Sequence, residues 1–380
     1  MAKSADVIII GAGVIGCSIA YHLAKMGCHD VLILEKNYIG SGSTERCAGG
    51  IRQQFSTEVN IKLSTESVKF FERFEDEIGH PADFRQNGYL MLATTEEELE
   101  AFQQNVVLQC SLGVEAHLLS PQEAKEIVPQ LNVTDICGAT YCPTDGYADP
   151  YSVVQGFASA SKKLGVRIHE GAEVIDIKRC NQIWVVSTTS GVFESPALTI
   201  AAGAYSGQIG KMTNLNIPVH SSRRHIFITT PLSEIPKHSP MVVDFHNGFW
   251  FRREGPGLIF GMRNPDEPES FDTSVDWSFL PTLAKAAAYR LPLLKDIGVV
   301  RAQAGLHDDT PDANAIIGKV PDTAGLYLAC GFSGHGFMHS PAVGRIMAEL
   351  IINGKTLLDI SSLALERFRE APLKREKCFI

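Results

Sequence analysis

The sequence predicts a mixed α/β protein in which a nucleotide-binding domain, assembled from separated segments, carries an inserted β-rich domain. Three observations predict it. The chain opens on an apolar strand, a glycine turn and a helix (DVIIIGAGVIGCSIAYHLAKMG). It ends on the same succession (GLYLACGFSGHGFMHSPAVGRIMAELII). Residues from roughly 217 to 307 read mostly as short strands separated by turns.

The opening carries the most information. DVIII, Asp6 to Ile10, is a short apolar run of the kind buried on both faces of a sheet. Gly11, Gly13 and Gly16 follow in G-x-G-x-x-G spacing. The helix after them starts at Val14 and Ile15 and sets Ile15, Ile19, Leu23 and Met26 on one side, and Gly27 ends it. A second apolar run, Val31 to Leu34, closes on Glu35. This is a Rossmann-like βαβ unit. Gly11 permits the tight turn, Gly13 lets backbone touch a pyrophosphate, and Gly16 allows close helix–strand packing. The helix N-terminus offers N–H groups and partial positive charge to the phosphates. Glu35 stands where an acid accepts hydrogen bonds from ribose hydroxyls, and its negative charge disfavours a 2′-phosphate. The motif does not separate FAD from NAD.

Composition bounds the remainder. The 380 residues suffice for two substantial domains, and 44% hydrophobic with 20% charged residues fits a globular protein. A net charge of −9 argues against a nucleic-acid partner. No run reaches the roughly 18 apolar residues of a membrane helix. The six residues MAKSAD before the first strand are short for a signal peptide, so a cytoplasmic location is expected. The nine cysteines lack metal-ligand spacing and read as reduced structural thiols; no metal site is expected.

After Glu35, Tyr38 to Phe55 is rich in glycine, serine and threonine, a composition suited to wrapping a ligand with backbone N–H groups; Arg46 and Arg52 interrupt it. One long helix is expected from Ser56 to Ile78, with Ser56 as its cap. GYLMLATT reads as a strand, Glu96 to Leu112 and Pro121 to Val128 as helices, and Asp149-Pro150 opens a further helix to Leu164. VRIHE, EVIDIKR, IWVVSTT and ALTIAAG read as strands. In the β-rich part RRHIFITT, MVVDF, GFWFRRE, GLIFGMR and VVRAQAGL do so, with one helix around Ser278 to Leu291. The glycine turn Gly331 to Gly336 is expected beside the first one, at the carboxyl edge of the strands.

DVIIIGAGVIG, LEK, IGSGST, GGIRQQF, PTDGYADP, AAGAYS, TPDANAIIG and GFSGHGFM occur in order over nearly the whole chain. Together they resemble the D-amino-acid-oxidase-like flavoproteins, and within them the β subunits of heteromeric L-proline dehydrogenase and sarcosine oxidase, and glycine oxidase. The resemblance implies an α/β plus β-rich fold: a Rossmann-like FAD-binding domain built from discontinuous segments (1–85, 149–216 and 305–380) with an inserted β-sheet substrate domain (86–148 and 217–304). It implies oxidation of the C–N bond of a small, secondary amino acid such as proline, hydroxyproline or sarcosine, by hydride transfer to flavin N5. The alternatives are a glycine- or sarcosine-type oxidase releasing H2O2 and a flavin-holding electron-relay subunit. A partner subunit carrying further electron carriers is compatible with it.

By this resemblance Gly11, Gly13, Val14, Ile15, Gly16, Glu35 and Lys36 hold the ADP half. Ser43, Thr44, Ala48 and Gly49 line the path to the isoalloxazine, Val174, Ala202 and Gly203 touch the adenine end, and Gly334, His335, Gly336, Phe337 and Met338 face the pyrimidine edge. AGLHDD, Ala304 to Asp309, lacks the cysteine that tethers flavin in monomeric sarcosine oxidases, and TDGYADPY lacks the histidine that holds FMN in the heterotetrameric enzymes, so FAD is expected to be noncovalent. Met338 and Ile259 replace lysines of the monomeric oxidases, which favours a dehydrogenase. For the substrate, Arg52 is the first candidate to clamp a carboxylate, since its fork matches one. His307 falls where glycine oxidase carries its carboxylate-binding arginine. His225 begins a strand expected to cover the flavin, and Trp250, with Phe249, is a candidate pocket wall. Arg252 and Arg253, adjacent in a strand, point to opposite faces.

Overall fold

The computed structural model describes residues 3–369 and 372–378; residues 1–2, 370–371 and 379–380 of the expected flavin-binding segments lie outside them. Its centre is a six-stranded sheet in the order Ile316–Lys319, Leu326–Cys330, Ala197–Ile200, Val7–Ile10, Val31–Leu34, Arg167–His169, parallel except for the first pair. Both faces are covered, which explains why VIII and VLIL show no polar alternation. Val7, Ile9, Val31 and Ile33 pack under helices Val14–Lys25, Glu58–Phe71, Pro150–Lys163 and Gly336–Asn353. Ile8, Ile10, Leu32 and Leu34 pack against Trp184, Val186 and Phe193 of a second, four-stranded sheet.

The first and last helices cross closely because both supply small residues at the crossing. Ser18 Oγ donates to the Ser340 carbonyl (2.8 Å), and a Cβ at Gly344 would stand 2.1 Å from Ser18 Oγ. This contact brings the two helix N-termini, and the glycine turns ahead of them, to the same end of the parallel sheet.

An eight-stranded sheet faces that end, ordered Val299–Asp309, His220–Thr229, Gly257–Gly261, Phe249–Glu254, Met241–Asp244, Tyr89–Ala93, Gly138–Cys142, His117–Leu119. Its alternation is two-sided. Leu90, Leu92, Phe227, Phe249 and Phe251 pack outward with helix Leu280–Arg290, while Tyr89, Met241, Val243 and Trp250 face the parallel sheet's ligand end. Phe249 is thus core, not pocket wall.

Three local expectations change. The stretch 56–78 forms two helices, Glu58–Phe71 and Phe74–Ile78. The first is capped from a distance, because buried Glu376 accepts from Ser56 N (2.8 Å), Ser56 Oγ, Thr57 Oγ1 (2.7 Å) and Asn60 Nδ2 (3.0 Å). Strands Lys3–Ser4, Gly191–Ser195 and Ile316–Lys319 were not expected; the first and last are short edge segments, and Gly191–Ser195, between Lys3–Ser4 and Ile183–Thr188, is half-exposed with little apolar alternation. Among the described residues no helix is long and apolar enough to cross a membrane.

Candidate active site

A cavity of about 500 Å³ lies between the parallel sheet's carboxyl edge and the eight-stranded sheet, and both glycine turns open onto it. At the first turn Gly11 has φ +108°, and a Cβ there would be 2.4 Å from the Ala201 carbonyl. Gly13 has only Thr44 Oγ1, at 3.4 Å, near its would-be Cβ, so this side of the turn is open. Gly16 lies behind the lining; its Cβ would strike the Gly11 carbonyl at 2.0 Å, so its part is helix–turn packing. Helix Val14–Lys25 has no acid in its first turn and no capping side chain at Gly13. Thr44 Oγ1 accepts from Val14 N (3.1 Å).

Glu35 braces this turn. Its Oε2 accepts from Ala12 N (2.9 Å) and its Oε1 from Asn37 N (2.9 Å). The carboxylate is held with lone pairs left over, which is the posture a ribose-binding acid needs. Lys36 turns aside, with Nζ 3.2 Å above the Tyr205 ring. Val174, Ala202 and Gly203 line this end of the cavity.

At the second turn the strained positions are Gly331 (φ +69°), Ser333 (φ +50°) and Gly334 (φ +86°). Asp308 fixes it: Oδ2 accepts from Gly331 N (2.8 Å), and the Asp308 carbonyl accepts from Ser333 N (3.1 Å). Burial pushes the Asp308 carboxyl up to about 7. Helix Gly336–Asn353 begins with neither an acid nor a side-chain cap. His335, at its N-cap, and His339 are buried, and burial followed by the charge of Arg52 holds both rings well below the usual imidazole range, His339 at about 3.

The loop 38–55 spans the two parts. Ser43 Oγ donates to the Leu306 carbonyl (2.6 Å), and Arg252 Nε to the Ala48 carbonyl (2.6 Å). Arg253 points the other way, to the Leu232 and Ile235 carbonyls. Ser43, Thr44, Ala48 and Gly49 all line the cavity, as do Gly334, His335, Gly336, Phe337 and Met338.

Two substrate candidates on the lining are engaged by other partners. Arg52 lies on the lining, but NH1 donates to the Gln54 carbonyl (2.6 Å) and NH2 to the Cys378 carbonyl (2.5 Å) and to His335 Nε2 (3.1 Å). Three of its N–H groups thus join its own loop, the C-terminal segment and the second turn. His225 borders the cavity, but its ring belongs to the outer face: Nε2 accepts from Asp276 N (3.0 Å), and the ring stacks on Phe227. Trp250, His307 and Met338 keep places on the wall.

The site also contains residues the sequence reading missed. Arg224 lines the cavity, its side chain 13% exposed, with a buried Nε that has no hydrogen-bond partner. Arg263 lines the same wall. Asp309 sits behind them, 3.4 Å from Arg224 NH2. The signal that could have found them is register: Ser222 pairs with His307 and Arg224 with Gly305.

The cavity fits an elongated dinucleotide. It offers two helix N-termini with no acid in their first turns, an open face at Gly13, an acid at one end and an aromatic, apolar wall at the other.

The family described as FAD dependent oxidoreductase matches residues 6–350. Among solved structures, the L-proline dehydrogenase from P. horikoshii superposes with a TM-score of 0.91 at 35% identity, covering 97% of this chain and 99% of that one. The glycine oxidase from Geobacillus kaustophilus gives 0.86 at 28%, covering 96% and 99%. The mitochondrial dimethylglycine dehydrogenase of Rattus norvegicus is 30% identical over 96% of this chain, which spans only 45% of that protein's length.

Proposed function

Because the chain belongs to the FAD-dependent oxidoreductase family, we propose that it is a dehydrogenase oxidising the C–N bond of a small secondary amino acid such as proline, hydroxyproline or sarcosine. The observation that carries this reading is one shared cavity: two glycine turns suited to a dinucleotide continue into a wall holding Arg224, His307 and Trp250. When bound, FAD supplies the hydride acceptor. Glu35 and the first turn would hold its adenosine and pyrophosphate, and the helix N-terminus behind Gly334 would favour negative charge at the ring placed there.

Arg224 takes the carboxylate role in place of Arg52. It is a mostly buried cation on the cavity wall, and each charge-assisted hydrogen bond it forms contributes about 1.5–3 kcal/mol. Tyr89, Met241, Val243, Trp250 and Met262 give an apolar surface for the substrate's carbon skeleton. The flavin is held noncovalently, consistent with the absence of cysteine in Ala304 to Asp309. Electrons pass to an acceptor other than O2, a partner subunit among the candidates; Met338 and Ile259, where monomeric oxidases have lysines, support this. The division into flavin-binding segments (1–85, 149–216, 305–380) and substrate segments (86–148, 217–304) belongs to the same reading, with strand Val299–Asp309 crossing one boundary. Nine free cysteines favour a reducing compartment, the cytoplasm.

The test is anaerobic: holoprotein is mixed with a panel of small amino acids while flavin absorbance is followed. Bleaching by a secondary amino acid, with dye reduction much faster than peroxide formation in air, supports the proposal. Peroxide at a matching rate favours the oxidase reading, and an unchanged oxidised spectrum across the panel contradicts both.

A further inference from the structure

Resting on the function proposed above, we infer that His307, oriented by Asp309, is the base that removes the proton from the substrate's ammonium group. A hydride cannot leave the α-carbon while the nitrogen lone pair is tied up by a proton. An alkylammonium of pKa about 10 is only about one part in a thousand free amine at pH 7. A base in the site gives that proton an acceptor.

The eight-stranded sheet places one. In the antiparallel pair His220–Thr229 and Val299–Asp309, Ser222 lies opposite His307 and Arg224 opposite Gly305. Ser222, Arg224, His307 and Asp309 therefore share one face of the sheet, and Arg224 and His307 line the cavity. Asp309 Oδ2 accepts from Ser222 Oγ and, at 3.4 Å, from Arg224 NH2. Asp309 Oδ1 and His307 Nδ1 are both buried without a hydrogen-bond partner, and they lie 3.7 Å apart. The His307 side chain keeps 26% exposure. With Nδ1 turned to the carboxylate, Nε2 is the nitrogen left for the cavity. The ring is wedged against the second glycine turn, where a Cβ at Gly334 would be 2.7 Å from His307 Cε1. A carboxylate facing Nδ1 favours the tautomer with its proton there, whose Nε2 accepts a proton.

The charges agree with this assignment. Burial, then Arg224, lowers the His307 imidazole below its ordinary range, and Arg263 acts the same way while Asp309 opposes them. Burial works against the Asp309 carboxylate, but His307, Arg224 and Ser222 bring it down to about 2. The other titratable neighbours are buried His335, held neutral, and Asp308, whose carboxyl is engaged by Gly331 N. His307 is thus neutral at pH 7 beside an ionised Asp309. In the step, the ammonium N–H bond breaks, its electron pair stays on the substrate nitrogen, and the proton forms a bond to Nε2. Nothing is oxidised or reduced until the hydride departs.

Two measurements on the holoprotein decide it. First, nitrogen-15 NMR of labelled imidazoles, with His307→Gln to assign the ring, should show Nδ1 protonated and Nε2 bare at pH 7; the opposite tautomer overturns the assignment. Second, anaerobic flavin reduction by the amino acid the wild type oxidises is followed from pH 6 to 10. The wild-type rate should level off above neutrality. His307→Gln should reduce flavin about 10²–10³-fold more slowly at pH 7, and its rate should rise tenfold per pH unit toward the substrate's own pKa. Asp309→Asn should show a loss of roughly tenfold with the same slope. FAD content equal to wild type confirms that each variant is folded. A His307→Gln profile parallel to wild type overturns the inference while leaving the proposed function standing. A wild type reduced by no amino acid overturns both.

Discussion

Glu35→Ala tests how the first glycine turn is held and what the acid is for. In the native protein the Glu35 carboxylate accepts from Ala12 N and Asn37 N, each at 2.9 Å, and Ala12 is fully buried. Removing the carboxylate strands the Ala12 N–H away from water, a loss of about 1–3 kcal/mol, while Asn37 N, nearer the surface, adds about 1 kcal/mol. The apoprotein should therefore lose about 2–4 kcal/mol of stability. Binding loses a further amount of its own, because the ribose loses a charged acceptor worth about 1.5–3 kcal/mol, a factor of about 10 to 150 in Kd. Glu35→Gln should fall between, since its amide oxygen can serve one backbone N–H but its NH2 faces the other. Urea unfolding of the apoprotein measures the first effect, and quenching of FAD fluorescence on titration measures the second. A Glu35→Ala protein that binds FAD within about threefold of wild type would refute the assignment of this acid to the adenosine half.

Other outcomes follow from the same geometry. Gly11→Ala must hold φ near +108° with a Cβ 2.4 Å from the Ala201 carbonyl, so the variant should purify without flavin. Arg224→Ala should raise KM for a carboxylate substrate by about 10- to 100-fold, with kcat less affected in steady-state assays. Arg52→Ala should chiefly lower Tm, by leaving the Gln54 and Cys378 carbonyls without their donor, with a smaller change in KM than Arg224→Ala. Asp308 gives a pH signature. Its folded-state pKa of about 7 stands above the ordinary 3.8, so the native state holds the proton more tightly. The stability it contributes is fully present below pH 3.8 and is lost as pH rises toward 7. Asp308→Asn should flatten that part of the Tm–pH curve; buried Asp145, raised to about 6 by desolvation, adds a slope of the same sign that the variant retains.

What the sequence made legible was local. Gly11, Gly13, Gly16 and Glu35 announce a dinucleotide site because turn, helix N-terminus and acid sit within one βαβ unit. The second turn, Gly331 to Gly336, is readable because a buried strand, a glycine turn and a helix follow directly on one another there. The substrate wall was not, because it depends on strand parity and on partners far along the chain. His225 and Arg224 are neighbours in sequence, yet the strand turns the His225 ring to the outer core and Arg224 to the cavity. Arg52 stands in a glycine-rich loop, which suggests a clamp; one of its partners, the Cys378 carbonyl, lies 326 residues away and is invisible to local reading. The break after Phe71 and the distal cap from Glu376 were equally hidden, since a carboxylate near the C-terminus satisfies Ser56, Thr57 and Asn60.

The central claim is that two distant glycine turns hold one FAD. Its most direct measurement is the flavin content of purified, FAD-reconstituted protein after heat release, for wild type, Gly11→Ala and Gly334→Ala. The account predicts one FAD per chain, released into the supernatant, for the wild type, and little or none for either variant. A colourless wild type, or full flavin content in both variants, would contradict it.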